Sequence, residues 1–193
     1  MAVKVDLLGE TLLADGRFKL TLTSVKVAET DGATRTLSHE IYHQAGAAAL
    51  LLFDPTRGTV LLVRQFRLGA YMNDSTPGLL EACAGTIDPG EAPDACMKRE
   101  AMEEMGLRVE NLRPLFEAFV SPAATTEKLY FFVAPYAPEA RVGVGGGMEE
   151  EGEEIEVVEA AFDEILREAE AGALRDGKTL TLLYWLKASG LMG

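Results

Sequence analysis

Three glutamates, Glu100, Glu103 and Glu104, crowd about a turn and a half of predicted helix in the run GTIDPGEAPDACMKREAMEEMGL between Gly85 and Leu107. Glu100 and Glu104 are i,i+4 neighbours with Glu103 beside them, so in water their charges repel at a cost of a few tenths of a kcal/mol per pair. A hard cation turns that repulsion into ligation, because Mg²⁺ prefers carboxylate and water oxygens and is commonly held by few carboxylates together with substrate phosphates. An isolated EAMEEM would be a solvated acidic face, as most charge runs are. The flanks argue otherwise. Gly85, Glu91, Arg99, Glu100, Glu103, Glu104 and Gly106 recur at set intervals, and seven residues at about one chance in fifteen each coincide on the order of once in 10⁸ positions.

The elements that must carry these glutamates follow from pattern. Residues 3–29 alternate apolar and polar residues, broken at Asp15-Gly16, and residues 33–44 follow the Asp31-Gly32 turn; both read as extended. AAALLLFDPTRGTVLLVRQF predicts a hairpin of two apolar strands around a Pro/Gly turn. Leu79–Ala84 predicts a strand running into Gly85, and Pro93 and Gly106 bracket a helix of roughly twelve residues. Ala95, Met102 and Met105 are its expected apolar stripe. Strands are expected at 112–120, 129–134 and 155–161, and helices at 162–171 and 180–188; 141–152 reads as a loop, flexible from its glycines. The order of elements predicts an α+β fold with helices flanking a mixed sheet.

Composition narrows the partners. A chain of 193 residues suits one domain with a small appended piece. Its net charge of −13 excludes nucleic acid and anionic membrane as large-area partners, since both need Lys and Arg. No apolar run is long enough to span a membrane and no signal peptide is read, so a cytoplasmic protein is expected, with Cys83 and Cys96 as buried reduced thiols. His39-Glu40-x-x-His43 spells the HExxH of zinc proteases, but that chemistry needs a helix. In the extended segment expected here the two imidazoles would lie about 13 Å apart, so the match reads as coincidence.

The run 85–107 resembles the Nudix box, G-x5-E-x7-R-E-U-x-E-E-x-G-U, at every fixed position, with Ala101 and Leu107 in the apolar slots. The resemblance implies a Nudix hydrolase with an α/β/α sandwich (residues 45–193) and an N-terminal antiparallel strand subdomain (residues 1–44). It implies Mg²⁺, with Mn²⁺ a possible substitute, held by Glu100, Glu104, the Ala84 carbonyl and Glu153. Glu103 would be a further ligand or hold the water, and Glu151, in the acidic run 149–154, the general base. Gly85, Glu91 and Arg99 would be structural, the last two as an ion pair. GGGMEEEGEEIEV is similar to the catalytic loop of the nucleoside-diphosphate-sugar and ADP-ribose branch, and RDGKT followed by LLYWL resembles the GDP-mannose hydrolases of that branch. By this likeness Arg67, Glu127, Lys178, His39 and Glu40 face substrate. Arg64 is set aside because residues an odd number apart face opposite sides of a strand. Two departures stand out: Ala123 fills a place that is usually Gly, and His39 one that is usually basic. The implied reaction splits a nucleoside diphosphate sugar, GDP-mannose first, into a nucleoside monophosphate and a sugar 1-phosphate. The alternatives are an ADP-ribose pyrophosphatase giving AMP and ribose 5-phosphate, and a non-catalytic nucleotide-sensing module. A homodimer through the N-terminal strands is also implied.

Overall fold

The computed structural model describes residues 4–148, 152 and 154–192. Two compact units make up the chain, one from residues 1–46 and 118–129, the other from 47–117 and 130–193. In the first, β1 (Lys4–Asp15), β2 (Lys19–Ala28) and β3 (Thr34–Tyr42) form an antiparallel three-stranded sheet in sequence order. The end of β3 is clasped by the loop after Ser121: Tyr42 N–H donates to Ala124 O at 2.8 Å and Thr126 N–H to Tyr42 O at 3.1 Å. His39 and Glu40 therefore lie on a strand, and His43 Nε2 lies 2.8 Å from Thr21 Oγ1. The HExxH spelling has no helix to act from.

In the second unit, β4 (Ala47–Asp54) and β5 (Thr59–Gln65) pair antiparallel only beside their turn, from Leu52↔Leu61 to Asp54↔Thr59. Beyond that they part, and residues 79–86 fill the wedge. β6 (Leu79–Glu81) pairs with β5, and β7 (Cys83–Thr86) pairs with β4. The single strand expected over 79–84 is thus two, broken at Ala82, whose N–H donates to Thr179 Oγ1 at 2.6 Å. β8 (Arg113–Phe119), β9 (Lys128–Pro135) and β10 (Glu156–Ala161) complete a seven-stranded sheet of order β10-β5-β4-β9-β8.

Among the described residues four α-helices accompany it: α1 (Leu68–Asp74), α2 (Pro93–Met105), α3 (Phe162–Glu170) and α4 (Gly177–Ser189). β4 is buried along nearly its whole length, so both its faces must be covered. Ala48, Leu50 and Leu52 share a core with Cys96, Met97, Ala101 and Met105 of α2. The alternate residues point the other way, and α4, which buries Leu182, Leu183 and Leu186, also packs on β4. The layers are helix, sheet, helix, and the fold is α+β.

Two expectations about helices need correction. α1 went unforeseen, because LGAYMND lies between Arg67 and Ser75 without an apolar period and buries none of its residues. Arg67 stands at its N-cap rather than in β5, so strand alternation does not relate it to Arg64. On α2 the apolar stripe is Cys96, Met97, Ala101 and Met105; Ala95 and Met102 are exposed. That phase carries Glu104 into the core side of the helix, where it is 1% exposed.

Candidate active site

The site is built where β7 meets α2. Pro93 opens α2 and Gly106, at φ 67°, ends it in the left-handed conformation that favours glycine. The intervening turns display Glu100, Glu103 and Glu104 at graded depth, their side chains 12%, 28% and 1% exposed. Gly85 sits directly under Glu100: a Cβ there would lie 1.7 Å from Glu100 Oε1. Ala84, whose carbonyl was the expected backbone ligand, is the preceding residue of β7.

Arg99 balances the cluster. Its Nη1 donates to Glu100 Oε1 at 2.8 Å and to Glu103 Oε2 at 3.0 Å. Nε and Nη2 hold the two oxygens of Glu91 at 3.1 and 3.2 Å, and Nη2 also reaches Thr86 O at 3.2 Å. Glu91 in turn accepts the Asp88 N–H at 3.1 Å, closing the loop ahead of α2. The hydrogen bond from Arg99 holds the Glu91 carboxyl below the usual carboxylate range, against the pull of burial. One guanidinium thus ties the loop between β7 and α2 to the glutamates of the helix, as a supporting shell does around a metal.

Beneath Glu104 lies Cys83, free and buried like Cys96. Burial, followed by the charge and hydrogen bond of Glu104, pushes the Cys83 thiol well above its ordinary range, and burial pushes Cys96 up to about 12. Both are held as inert thiols rather than nucleophiles. Cys96 has a positional role, its S–H lying within 3.7 Å of Gly85 O and 3.5 Å of Thr86 O across the β7–α2 gap.

The glycine run that was expected to be flexible is docked over residues 142–147. Val142 and Gly143 N–H donate to Gly106 O at 2.8 and 3.0 Å, Gly146 N–H to Glu104 O at 2.9 Å, and Gly147 N–H to Glu103 O at 3.1 Å. These bonds satisfy carbonyls that the end of any helix leaves over. Gly145, at φ 71°, is pressed so close that a Cβ would meet Glu104 O at 2.4 Å. In the acidic run, both Glu151 and Glu153 lie outside the described residues.

A second cluster in the same unit centres on Glu81, which the sequence reading passed over. Arg67 donates from Nε and Nη2 to its two oxygens at 2.8 and 3.1 Å, and Lys178 Nζ donates to it as well. Lys178 is also bound to Asp176 at 2.9 Å. Burial alone would raise the Glu81 carboxyl; Arg67 and Lys178 outweigh it and hold the group below the usual range. The clue was available, since a lone acid in the apolar run LLEACA must find a cation if it is buried. The other expected substrate residues lie in the first unit: His39 and Glu40 are exposed on β3, and Glu127, half-buried, follows the loop clasped to Tyr42. Arg64 is spent on Glu156 at 3.0 Å.

Carboxylates on one helix, a glycine cradle beneath one of them and an arginine tying the approach loop are what the box spacing requires. Comparison with known proteins agrees. The NUDIX domain model matches residues 42–183. A GDP-mannose pyrophosphatase of Salmonella arizonae is 39% identical over 194 residues, and one of Enterobacter sp. (strain 638) is 36% identical over 193, each match covering all of both chains. The crystal structure of an ADP compounds hydrolase superposes with a TM-score of 0.72 over 97% of both chains at 21% identity, which bears on the fold. With the box geometry, the matched model and full-length relatives in accord, the chain belongs to the Nudix family of hydrolases.

Proposed function

We propose that this enzyme hydrolyses the pyrophosphate of a nucleoside diphosphate sugar, GDP-mannose in the first place, to a nucleoside monophosphate and a sugar 1-phosphate. The observation that carries the reaction is the seating of the Glu100 carboxylate on Gly85, with Glu104 and Glu103 on the same helix. The substrate class is supported by the full-length likeness to proteins named GDP-mannose pyrophosphatase. ADP-ribose is the second candidate.

By their chemistry the donors suit a divalent cation, Mg²⁺ by preference and Mn²⁺ as substitute, being hard carboxylates and a backbone carbonyl; the described residues alone do not gather three side-chain ligands, and Glu153 lies outside them. Glu100, Glu104 and the Ala84 carbonyl would hold it, with Glu153 completing the set. When bound, such an ion neutralises the diphosphate and lowers the pKa of its water. Glu103, the most exposed of the three, would orient the attacking water, and Glu151 would accept its proton. Arg67 would meet the phosphates, with Lys178 behind it, and His39, Glu40 and Glu127 the nucleotide.

A panel of nucleotide sugars and dinucleotides with Mg²⁺, products identified, tests the reading. GMP and mannose 1-phosphate are expected, and EDTA abolishes their release. Absence of turnover across the panel overturns it, and tight binding without turnover would establish the nucleotide-sensing module instead.

The N-terminal strands, residues 1–44 in the proposed division, are read as a dimer element. β1 is exposed along its whole length, Val5, Leu7, Leu8, Leu12 and Leu13 included, and so much apolar strand asks for a cover. A second copy is the proposed cover. Sedimentation at micromolar concentration should give twice the chain mass, and a monomer there sinks the idea.

A further inference from the structure

We propose that Glu81 is a positioning residue for substrate binding: it seats the Arg67 guanidinium for the diphosphate, with Lys178 as the internal cation that lets a buried carboxylate stay there. This rests on the reading of Arg67 as a phosphate contact.

The geometry is that of a surface cation held on a buried anion. Glu81 is 1% exposed, whereas the Arg67 side chain is 42% exposed. Both Glu81 oxygens are taken by Nε and Nη2 of Arg67 in a fork. A guanidinium carries five donors in a plane, so one edge can be fixed on a carboxylate while another meets a phosphate. An arginine on the open surface would sweep many rotamers, and ordering it on binding costs affinity. Seated on Glu81, it is ordered beforehand.

Lys178 has the opposite character. It is only 16% exposed and shared between Glu81 and Asp176. Asp176 is itself fixed at the N-cap of α4, accepting from Thr179 N at 2.9 Å and Thr179 Oγ1 at 2.5 Å, and Thr179 Oγ1 accepts the Ala82 N–H. The chain of contacts runs from the start of α4 to the β6–β7 break and out to Arg67. It converts the position of a helix end into the position of a surface guanidinium. Replacing buried ion pairs by apolar residues is often neutral or stabilising, so stability alone does not call for a buried charge here. The run 81–85 then serves both halves of the site: Glu81 holds Arg67, Cys83 meets Glu104, and Gly85 lies under Glu100.

A double-mutant cycle in KM decides it, with kcat, KM for GDP-mannose and thermal unfolding measured together. Glu81→Gln is expected to raise KM by about tenfold in the wild-type background, with kcat changed by less than about threefold. In Arg67→Ala, where there is nothing left to seat, the same change should move KM by less than about twofold. Glu81→Asp keeps the charge and the fold and should give a smaller rise with the same dependence on Arg67. It carries the test if the glutamine variant does not fold. Equal effects in both backgrounds, or an unchanged KM in Glu81→Asp and Glu81→Gln, overturn the proposal. If the wild-type protein turns over no member of the nucleotide-sugar panel, the reaction assigned above fails instead, and the two failures are told apart by that control.

Discussion

Replacing Glu104 by glutamine is expected to lower kcat by about 10³-fold or more, equivalent to about 4 kcal/mol of transition-state stabilisation, while leaving the metal-free protein as stable as before or more so. Glu104 combines near-complete burial with a place among like charges. Arg99 offsets Glu100 and Glu103 directly, and Glu104, an i,i+4 neighbour of Glu100, faces the buried Cys83 thiol. Desolvation and the repulsion of its like-charged neighbours both weigh against a charge here. Glutamine keeps the shape and the hydrogen-bonding reach and removes the charge. The metal-free unfolding temperature should therefore hold or rise by a few degrees, about 2–4 °C per kcal/mol for a chain of this length. In the wild type, Mg²⁺ should raise that temperature by mass action on the folded state. Glu104→Gln should lose most of the rise. Retention of kcat within tenfold, together with an intact Mg²⁺-dependent shift, would remove Glu104 from the metal site.

That prediction shows how unevenly the site is legible in sequence. Spacing alone places three carboxylates on one short arc, because 3.6 residues per turn is a property of every helix. Depth is another matter. Which arc faces the sheet depends on Cys96 and Met97 packing against Leu50 and its neighbours, and the weak helical periodicity around Ala95 and Met102 pointed elsewhere. Glu104 was readable as a carboxylate in the right place, but not as a buried one.

The strands were legible for a similar reason and to a similar limit. Alternation and turn residues suffice to find β4 and β5, yet nothing local says that they separate after three paired positions. The break at Ala82 is a tertiary event, made by Thr179 almost a hundred residues away in the chain. Glu81 was overlooked on the same ground: its partners come from the N-cap of α1 and the start of α4. The glycine run illustrates the converse. Composition reads GVGGG as slack, whereas in the fold the glycines allow close backbone approach to the end of α2, and Gly145 has no room for a side chain.

Gly85→Ala should produce the second large effect, and through a single displaced carboxylate. The backbone of Gly85 is not in the left-handed region, so alanine meets no conformational objection there. Its methyl would fall 1.7 Å from Glu100 Oε1, 2.0 Å from Cδ and 2.5 Å from Cγ. Neither side can retreat easily. Behind Gly85, β7 is paired to β4 at Ala48; in front, Cys96 holds the Gly85–Thr86 carbonyls to α2, and Arg99 holds Glu100 at 2.8 Å. Overpacking of this kind costs about 1–3 kcal/mol, which lowers the unfolding temperature by several degrees without preventing folding. The sharper consequence is for metal. With Glu100 displaced, half-saturation by Mg²⁺ should require at least about tenfold more ion, and kcat at saturating Mg²⁺ should fall about 10²-fold, as misplacement on the order of 1 Å does in active sites. Shortening the opposing side chain separates this account from general damage. In Gly85→Ala/Glu100→Asp the carboxylate withdraws by one methylene, and the Mg²⁺ requirement should return toward that of Glu100→Asp alone. If Gly85→Ala titrates with Mg²⁺ as the wild type does, the cradle under Glu100 has no part in holding the ion.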